Sequence, residues 1–560
     1  MWKSDFKPKF FTTIKSYNKT MFIQDLMSGV IVGIVALPLA IAFAIASGVT
    51  PEKGIITAIV AGFIISFLGG SKVQIGGPTG AFIVIVYGVV QNYGLSGLAI
   101  ATVMAGIILL LLGIFKMGTV IKFIPYPIVI GFTSGIALTI FTTQIPDLFG
   151  LTFGAEKVPG DFVGKWALYF RHFDSVNWWN ALVGVVSVLI IILTPKFSRK
   201  IPGSLAAIIL VTVGVWALKT YGNIGGIDTI GDRFSISSSL PSAALPTITW
   251  AAVRELFPIA ITIAALGAIE SLLSATVADG VIGDRHNSNT ELMALGVANI
   301  ITPIFGGIPS TGAIARTMTN INNGGKSPVA GIVHAVVLLL ILLFFMPFAK
   351  YIPMACLAGV LVVVSYNMSG WRTFKELLKN PKTDVVVLLL TFFLTVIFDL
   401  TIAITVGLLI ACILFMKRVM ETTEISVIKN EINLNAGTDV QSADDEKLAV
   451  PKGVEVYEIN GPYFFGIATK FEDIMDSMGD RPKVRIIRMR RVPFIDSTGI
   501  HNLATLCRMS KKEHIEIVLS GVNENVHKAL ENSGFYQLLD ERNICSHINL
   551  AVKRAEEIVG

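Results

Sequence analysis

The sequence carries little charge for its length. Asp, Glu, Lys and Arg make up 15% of its 560 residues, whereas soluble proteins typically carry about 25%. Hydrophobic residues make up 53% of the chain, and the mean hydropathy is +0.69. A soluble globular protein is therefore excluded, and a polytopic membrane protein is predicted. The formal net charge of +6 is explained better by basic cytoplasmic loops than by nucleic-acid binding, so we expect no nucleic-acid partner.

Cysteine is also scarce. The four cysteines, Cys356, Cys412, Cys507 and Cys545, have neither metal-ligand nor disulfide spacing, so we expect packing thiols. Residues 1–20 are basic but lack the apolar core and cleavage site of a signal peptide, and are expected to form a cytoplasmic segment near the membrane surface. No nucleophile, base and metal-ligand set converges. We therefore expect neither an enzyme nor a cofactor, apart from a coupling H⁺ or Na⁺.

Two polar, glycine-rich stretches interrupt the apolar spans. Gly306–Lys326 contains Arg316 and is too polar for a lipid-facing helix, because such backbone is tolerated at membrane depth only inside protein or beside water. We predict an extended segment followed by a short helix that Ser310 caps. Gly69–Val90 has the same pattern, with a short helix from about Thr79. One interrupted segment in each half indicates the binding site of a transporter built from inverted repeats.

The beginning of each short helix is the predicted anion site. A helix N-terminus presents unpaired N–H groups and a partial positive charge, and Gly or Ala there lets the backbone approach a ligand closely. The alternative explanation for these small residues is tight helix packing. Ala36, Leu37 and Phe43 of the first span are expected to add an apolar wall. The predicted anion contacts are Thr79, Gly80 and Ala81 in the first segment, and Thr311, Gly312, Ala313, Ile314, Ala315 and Arg316 in the second.

The apolar spans predict an α-helical polytopic membrane protein with 14 spans, arranged as two sets of seven around the connection Lys219–Trp250. An even number puts both termini on one side, and the positive-inside rule puts that side in the cytoplasm of a bacterial-type inner membrane. The predicted spans are Leu26–Ser47, Gly54–Leu68, the interrupted Gly69–Val90, Leu95–Phe115, Ile124–Thr143, Trp178–Leu193, Leu205–Leu218, Ala251–Ala278, Thr290–Ile304, Thr311–Ile321, Val329–Phe348, Ile352–Tyr366, Val385–Phe398 and Thr401–Phe415.

The composition changes after Lys417, which predicts three regions: residues 1–20, a transmembrane domain over 21–420, and a connector with a small α/β domain over 421–560. Residues 435–452 are expected to form a loop or linker. The predicted strands are Val454–Ile459, Val484–Met489 and Ile515–Leu519, and the predicted helices are Lys470–Ser477, Ser497–Met509, Glu524–Ser533 and Ile548–Val559.

Several motifs together resemble the sulfate permease family, relatives of the solute-carrier-26 anion transporters. They are ALPLAIAFAIASG at Ala36–Gly48, GGPTGAF at Gly76–Phe82, the stretch Ala278–Ile300 and the GAIARTMTNINNGGKSPVAG element after it. In the tail, VPFIDSTG at Val492–Gly499 resembles the STAS domain that these proteins carry. Ser497 and Thr498 in that motif match a position that can be phosphorylated in related regulators, although capping of the helix is the expected role here.

The resemblance implies a fold of seven plus seven inverted repeats. Spans 1–4 and 8–11 would form a core domain, in which the third and tenth segments meet head to head. Spans 5–7 and 12–14 would form a gate domain, and the core would move against the gate in an elevator-like motion. Family members are typically homodimers, and the STAS domain is expected to regulate, with a cytoplasmic protein as a candidate partner.

Glu270 lies in the middle of an apolar span, where a carboxyl group is costly and usually faces a cavity or a partner. The alternatives are a structural hydrogen bond or a role in coupling. The resemblance implies an acidic residue near the substrate at this position, and Na⁺-coupled bicarbonate carriers of the family have Asp there. We hypothesise that Glu270 carries the coupling proton, with Ser274, one turn on, helping to hold a proton or Na⁺. Arg316 is either the structural partner of Glu270 or a source of positive potential for the anion.

The expected function is secondary active anion transport, by proton-coupled symport. Sulfate and a dicarboxylate such as succinate or fumarate rank level as substrates, ahead of bicarbonate, because a dianion suits two helix ends plus Arg316. The alternatives are a Na⁺-coupled bicarbonate symporter, an uncoupled anion channel and a membrane-anchored sensor that signals through the STAS domain.

Overall fold

The computed structural model divides into two compact units, Met1–Leu409 and Ile410–Gly560. The predicted helix Lys470–Ser477 lies outside the described residues. The structure describes residues 6–119, 125–154, 156, 158–159, 161–197, 202–222, 226–235, 243–244, 249–398, 400–428, 431–433, 447–465 and 482–560.

Helices occur at all fourteen predicted spans. Spans 3 and 4 are two helices within Ile83–Ile114 that meet at a kink, because the backbone of Gly94 is non-helical, with a φ of +67°. Eight of the described helices are long and apolar enough to cross a membrane on length and composition alone. The helices of the twelve spans other than 3 and 4 are span 1 Lys19–Ala46, span 2 Pro51–Leu68, span 5 Tyr126–Phe149, span 6 Trp178–Phe197, span 7 Gly203–Tyr221, span 8 Trp250–Ile282, span 9 Ser288–Ile301, span 10 Ile314–Asn322, span 11 Pro328–Phe344, span 12 Met354–Met368, span 13 Lys382–Ile397 and span 14 Leu400–Thr422.

The spans pack as two groups. Spans 8 and 9 pack on the helix that contains spans 3 and 4, and span 11 packs on spans 1 and 2. Span 5 packs on spans 12 and 13, and span 6 packs on spans 7 and 12. Small residues permit this close packing: Gly106 and Gly296 leave no room for a side chain where spans 4 and 9 cross. Each group therefore draws matching spans from both halves of the chain, as core and gate domains require.

Two very short strands lie inside the first unit. Strand β1, Gly76–Gly77, precedes span 3, and strand β2, Thr311–Gly312, precedes span 10. They pair antiparallel, with Gly76 opposite Gly312 and Gly77 opposite Thr311. The antiparallel pairing is what two segments of opposite orientation require. The two interrupted segments thus meet directly.

The second unit is a mixed α/β domain. Its main sheet has five strands, in the order β3 (Glu424–Ile428), β6 (Val454–Asn460), β7 (Val484–Arg491), β8 (Glu516–Ser520) and β9 (Ile544–Cys545). Strand β3 is antiparallel to β6, and the other neighbours are parallel. Its helices are Ser497–Lys512, Glu524–Asn532 and Ile548–Val559. Strands β4, Glu431–Asn433, and β5, Lys447–Ala449, form a separate antiparallel pair.

Two predictions for this unit are corrected. Residues 447–449 of the expected linker form strand β5, because they pair with β4. The cap of the helix Ser497–Lys512 is Asp496, whose carboxylate accepts from the backbone N–H of Gly499 at 2.7 Å. Ser497 and Thr498 are exposed first-turn residues and not the cap.

Candidate functional site

The two interrupted segments cross at a point where glycine lets their backbones approach. The pairing of β1 with β2 is extended by Ala313, whose N–H donates to the carbonyl of Ile75 at 2.9 Å. Gly77 has a φ of +155°, a conformation that side chains disfavour. A Cβ at Gly77 would also collide with Nη1 of Arg316. Arg316 therefore lies directly against this crossing.

Span 8 holds the crossing in place through side-chain hydrogen bonds. The amide of Gln74 donates to the hydroxyl of Ser271 at 2.7 Å, and the hydroxyl of Thr311 donates to the carbonyl of Gly267 at 2.7 Å. These groups are buried, where an unmade hydrogen bond is costly. The conformation of both extended stretches is thus fixed by one helix.

The helices begin later than predicted. Span 10 starts at Ile314 with Ala313 as its N-cap, because Thr311 and Gly312 are in β2. Capping by Ser310 is therefore wrong: its N–H and hydroxyl donate to the side chain of Asn299, at 2.9 and 3.4 Å. With no capping side chain, the first-turn N–H groups of span 10 have no intrahelical acceptor.

The first segment starts with the 3₁₀ turn Gly80–Phe82, and the α-helix follows from Ile83. Thr79 is the N-cap residue, but its side chain does not cap. The N–H groups of Gly80 and Ala81 consequently also lack an intrahelical acceptor. Both segments thus present free amides beside the β1–β2 crossing.

Glu270 is close to the first of these amide groups. Its carboxylate accepts a hydrogen bond from the hydroxyl of Thr79 at 2.8 Å, and both residues are half-buried. Ser274, predicted to assist Glu270, instead donates to the hydroxyl of Thr317 in span 10 at 3.3 Å.

The side chain of Arg316 is a buried cation. It is 2% exposed, and among the described residues neither Nη1 nor Nη2 has a hydrogen-bond partner. Within that same part of the chain no carboxylate pairs with it, so the interpretation of Arg316 as the ion-pair partner of Glu270 is wrong. A buried charge is costly unless it is compensated. The arrangement is suited to an anion that supplies the missing charge.

Phe43 of span 1 contributes an apolar wall. A methyl group on Gly80 would lie 3.4–3.5 Å from side-chain atoms of Phe43, Ile140 of span 5 and Met368. Glycine therefore keeps open the space where span 1 of the core group faces the gate group. Of the other predicted positions, Ala36, Ala81 and Ala313 are buried, Leu37 is partly buried, and Ile314 and Ala315 are exposed.

Glu291 is a site-supporting residue that the sequence did not reveal. It is 0% exposed and accepts from the N–H groups of Gly70 and Ser71, at 2.8 and 3.2 Å, and from the hydroxyl of Ser271 at 3.2 Å. Because Ser271 also binds Gln74, this carboxyl group anchors the approach to β1. The polar sequence NSNTEL around Glu291 gave no sign of burial.

The chain was compared with known proteins. The pattern of the sulfate permease family matches residues 22–391, and that of the STAS domain matches residues 447–553. YvdB of Bacillus subtilis (strain 168) is 40% identical over 541 residues, which cover 96% of this chain and 99% of YvdB.

Bicarbonate transporter BicA of Picosynechococcus is 27% identical over 522 residues, 90% of each chain. The murine Slc26a9 anion transporter, solved in the inward-facing state, superposes with a TM-score of 0.86 at 19% identity, covering 98% of this chain and 94% of that one. This likeness confirms the predicted fold of fourteen spans in two inverted repeats followed by a STAS domain. The chain belongs to the sulfate permease family of membrane anion transporters.

Proposed function

We propose that the protein is a secondary active transporter that carries a small anion together with a proton. The core group of spans, 1–4 and 8–11, moves against the gate group in an elevator-like motion. Membership of an anion-transporter family supports transport in general. The residues at the crossing support the proton coupling and the substrate class.

Arg316 carries the proposal. A guanidinium that is almost wholly buried, without a protein acceptor among the described residues, needs a counter-charge. It lies against Gly77, next to the free amides of Gly80, Ala81 and span 10. Positive charge and N–H donors together form a site for an oxyanion.

Glu270 supplies the coupling. As a carboxylate it accepts from Thr79 and adds a negative charge beside the anion, which opposes anion binding. Protonation removes that repulsion, so the bound proton raises the affinity for the anion, and the bound anion raises the affinity for the proton. This reciprocity is the thermodynamic basis of symport.

The substrate is a dianion such as sulfate, or a dicarboxylate such as succinate, in preference to bicarbonate. Two amide-bearing segments and Arg316 provide more positive potential than a monoanion needs. The relative BicA is named for bicarbonate, which keeps bicarbonate as the next candidate. We place the protein in the inner membrane as a homodimer, with both termini and the STAS domain in the cytoplasm, where that domain binds a regulatory partner.

The experiment is uptake of labelled sulfate, succinate and bicarbonate into liposomes that contain the purified chain, with imposed proton or sodium gradients. An inward proton gradient is expected to drive accumulation of one dianion above its equilibrium level. Accumulation with sodium alone would instead indicate the Na⁺-coupled bicarbonate alternative. A conductance far above carrier rates would identify a channel, and no uptake of any of the three anions would contradict the proposal.

A further inference from the structure

A cavity lies between the core and gate groups, and no residue of strands β1 and β2 lines it. Its volume is about 160 Å³, and its walls include Ala46 of span 1, Tyr87 of span 3, Asp147 of span 5 and Met354 of span 12. Ala46 is the last residue of span 1, so the cavity lies at the membrane face opposite the N-terminus, here called the outer face. Spans 1 and 3 belong to the core group and spans 5 and 12 to the gate group.

Lys165 projects into this cavity from the helix Phe162–Arg171, which lies in the connection between spans 5 and 6. The residue is 6% exposed. In the described part of the chain, its ammonium group forms neither a hydrogen bond nor an ion pair. Nζ lies over the ring of Tyr87, 5.8 Å from the ring centroid. Lysine is almost never this deeply buried without a paired charge.

The carboxylates around Lys165 are already engaged. Asp161 caps the helix by accepting from the N–H of Gly164 at 2.6 Å, and Asp147 pairs with Arg233 at 2.6 Å. Burial lowers the pKa of Lys165, and the charge of Asp161 opposes that effect only in part. The cation is therefore left without full compensation by the protein.

We propose that Lys165 is the centre of an outer anion subsite that captures a small oxyanion before it reaches Arg316. Tyr87 and Tyr169 also line the cavity and carry hydroxyl donors, and Gln144 keeps one of its two amide N–H groups because the other donates to Thr143. The volume exceeds the roughly 30 Å³ share of one water, so an oxyanion of a few heavy atoms fits. Because core and gate both form its walls, the subsite changes shape when they move; this role rests on the proposed function.

The test measures uptake into liposomes at varied external sulfate and succinate. Lys165→Gln is expected to raise the half-saturating concentration of the transported anion roughly tenfold, the effect of losing a hydrogen bond to a charged group, with maximal rate nearly unchanged. Lys165→Arg, which keeps the charge, is expected to have a half-saturating concentration close to that of the wild type. The matched control is Arg171→Gln, which removes a charge from the exposed end of the same helix. A lower maximal rate with unchanged half-saturation would overturn the subsite and indicate a purely structural contact with Tyr87.

A second measurement does not depend on transport. Reductive methylation of lysines in the full chain, followed by peptide mass spectrometry, is expected to be slowed at Lys165 by sulfate or succinate but not at Lys219, which pairs with Asp232. Uptake by the wild-type chain without protection of Lys165 would reject the subsite and leave the proposed function standing. Protection without uptake would reject the transport role and retain the anion site.

Discussion

Glu270 accepts its hydrogen bond from Thr79 and not from Arg316. The two opposite charges thus form no direct ion pair, which leaves Glu270 available to a proton and Arg316 available to an anion. A direct ion pair would have neutralised both. The proposed coupling depends on this separation.

Replacing Glu270 with Gln tests the coupling. The amide keeps the size of the side chain but cannot exchange a proton, so we expect the variant to lose acceleration by an inward proton gradient. The measurement is uptake into proteoliposomes with and without that gradient. The control is Glu255→Gln, an exposed position on the same helix. Unchanged pH-gradient drive in Glu270→Gln would remove the residue from the mechanism.

At the scale of residues, the sequence predicted the functional charges that stand out against apolar surroundings. Glu270 and Arg316 were found because each interrupts a membrane segment. Glu291 was missed because it follows a polar run, and Lys165 because it lies in the connection between spans 5 and 6, where a charged residue is normally exposed. Their importance depends on tertiary packing, which gives Glu291 three donors and isolates Lys165 in a cavity.

At the scale of elements, the β1–β2 crossing positions the site. Glycine and proline predicted the interruptions, but the pairing of Gly76 with Gly312 joins residues from opposite halves of the chain, and no local pattern specifies such a partner. The same pairing explains why span 10 begins at Ile314 and not at Thr311. Local sequence predicted where the helices break, and tertiary hydrogen bonds decided where they restart.

Gly77→Ala tests the crossing. The added methyl group meets Arg316 and imposes a disfavoured φ, so we expect destabilisation of about 1–3 kcal/mol, as in other overpacked interiors. Gly88→Ala is the matched control, because a Cβ there meets nothing within 4 Å. Thermal unfolding of both purified variants provides the measurement. Equal midpoints for the two would contradict the close approach of Arg316 to β1.

At the scale of the whole molecule, the first unit, Met1–Leu409, contains the crossing, Glu270, Arg316, the core group and all of the gate group except the second half of span 14. The STAS unit is a separate compact body with its own buried core. Under the proposed function the first unit carries the anion, and we expect the STAS unit to regulate that transport.

Deletion of Glu421–Gly560 distinguishes a carrier from a sensor. A carrier core is expected to keep measurable uptake, reduced in rate but with the same preference among anions. The measurement is initial uptake per molecule of reconstituted protein, with the full chain as control. Complete loss of uptake in a variant that still folds and inserts would favour a signalling role for the STAS unit.

The most direct test of the central claim is equilibrium binding of the transported anion to the purified chain, measured by calorimetry. Arg316→Ala is expected to weaken binding at least tenfold, since one charge-assisted hydrogen bond contributes about 1.5–3 kcal/mol, while its unfolding midpoint changes far less. Arg285→Ala, an exposed charge, is expected to bind like the wild type. Equal affinity in Arg316→Ala and the wild type would contradict an anion site at the crossing of the two interrupted segments.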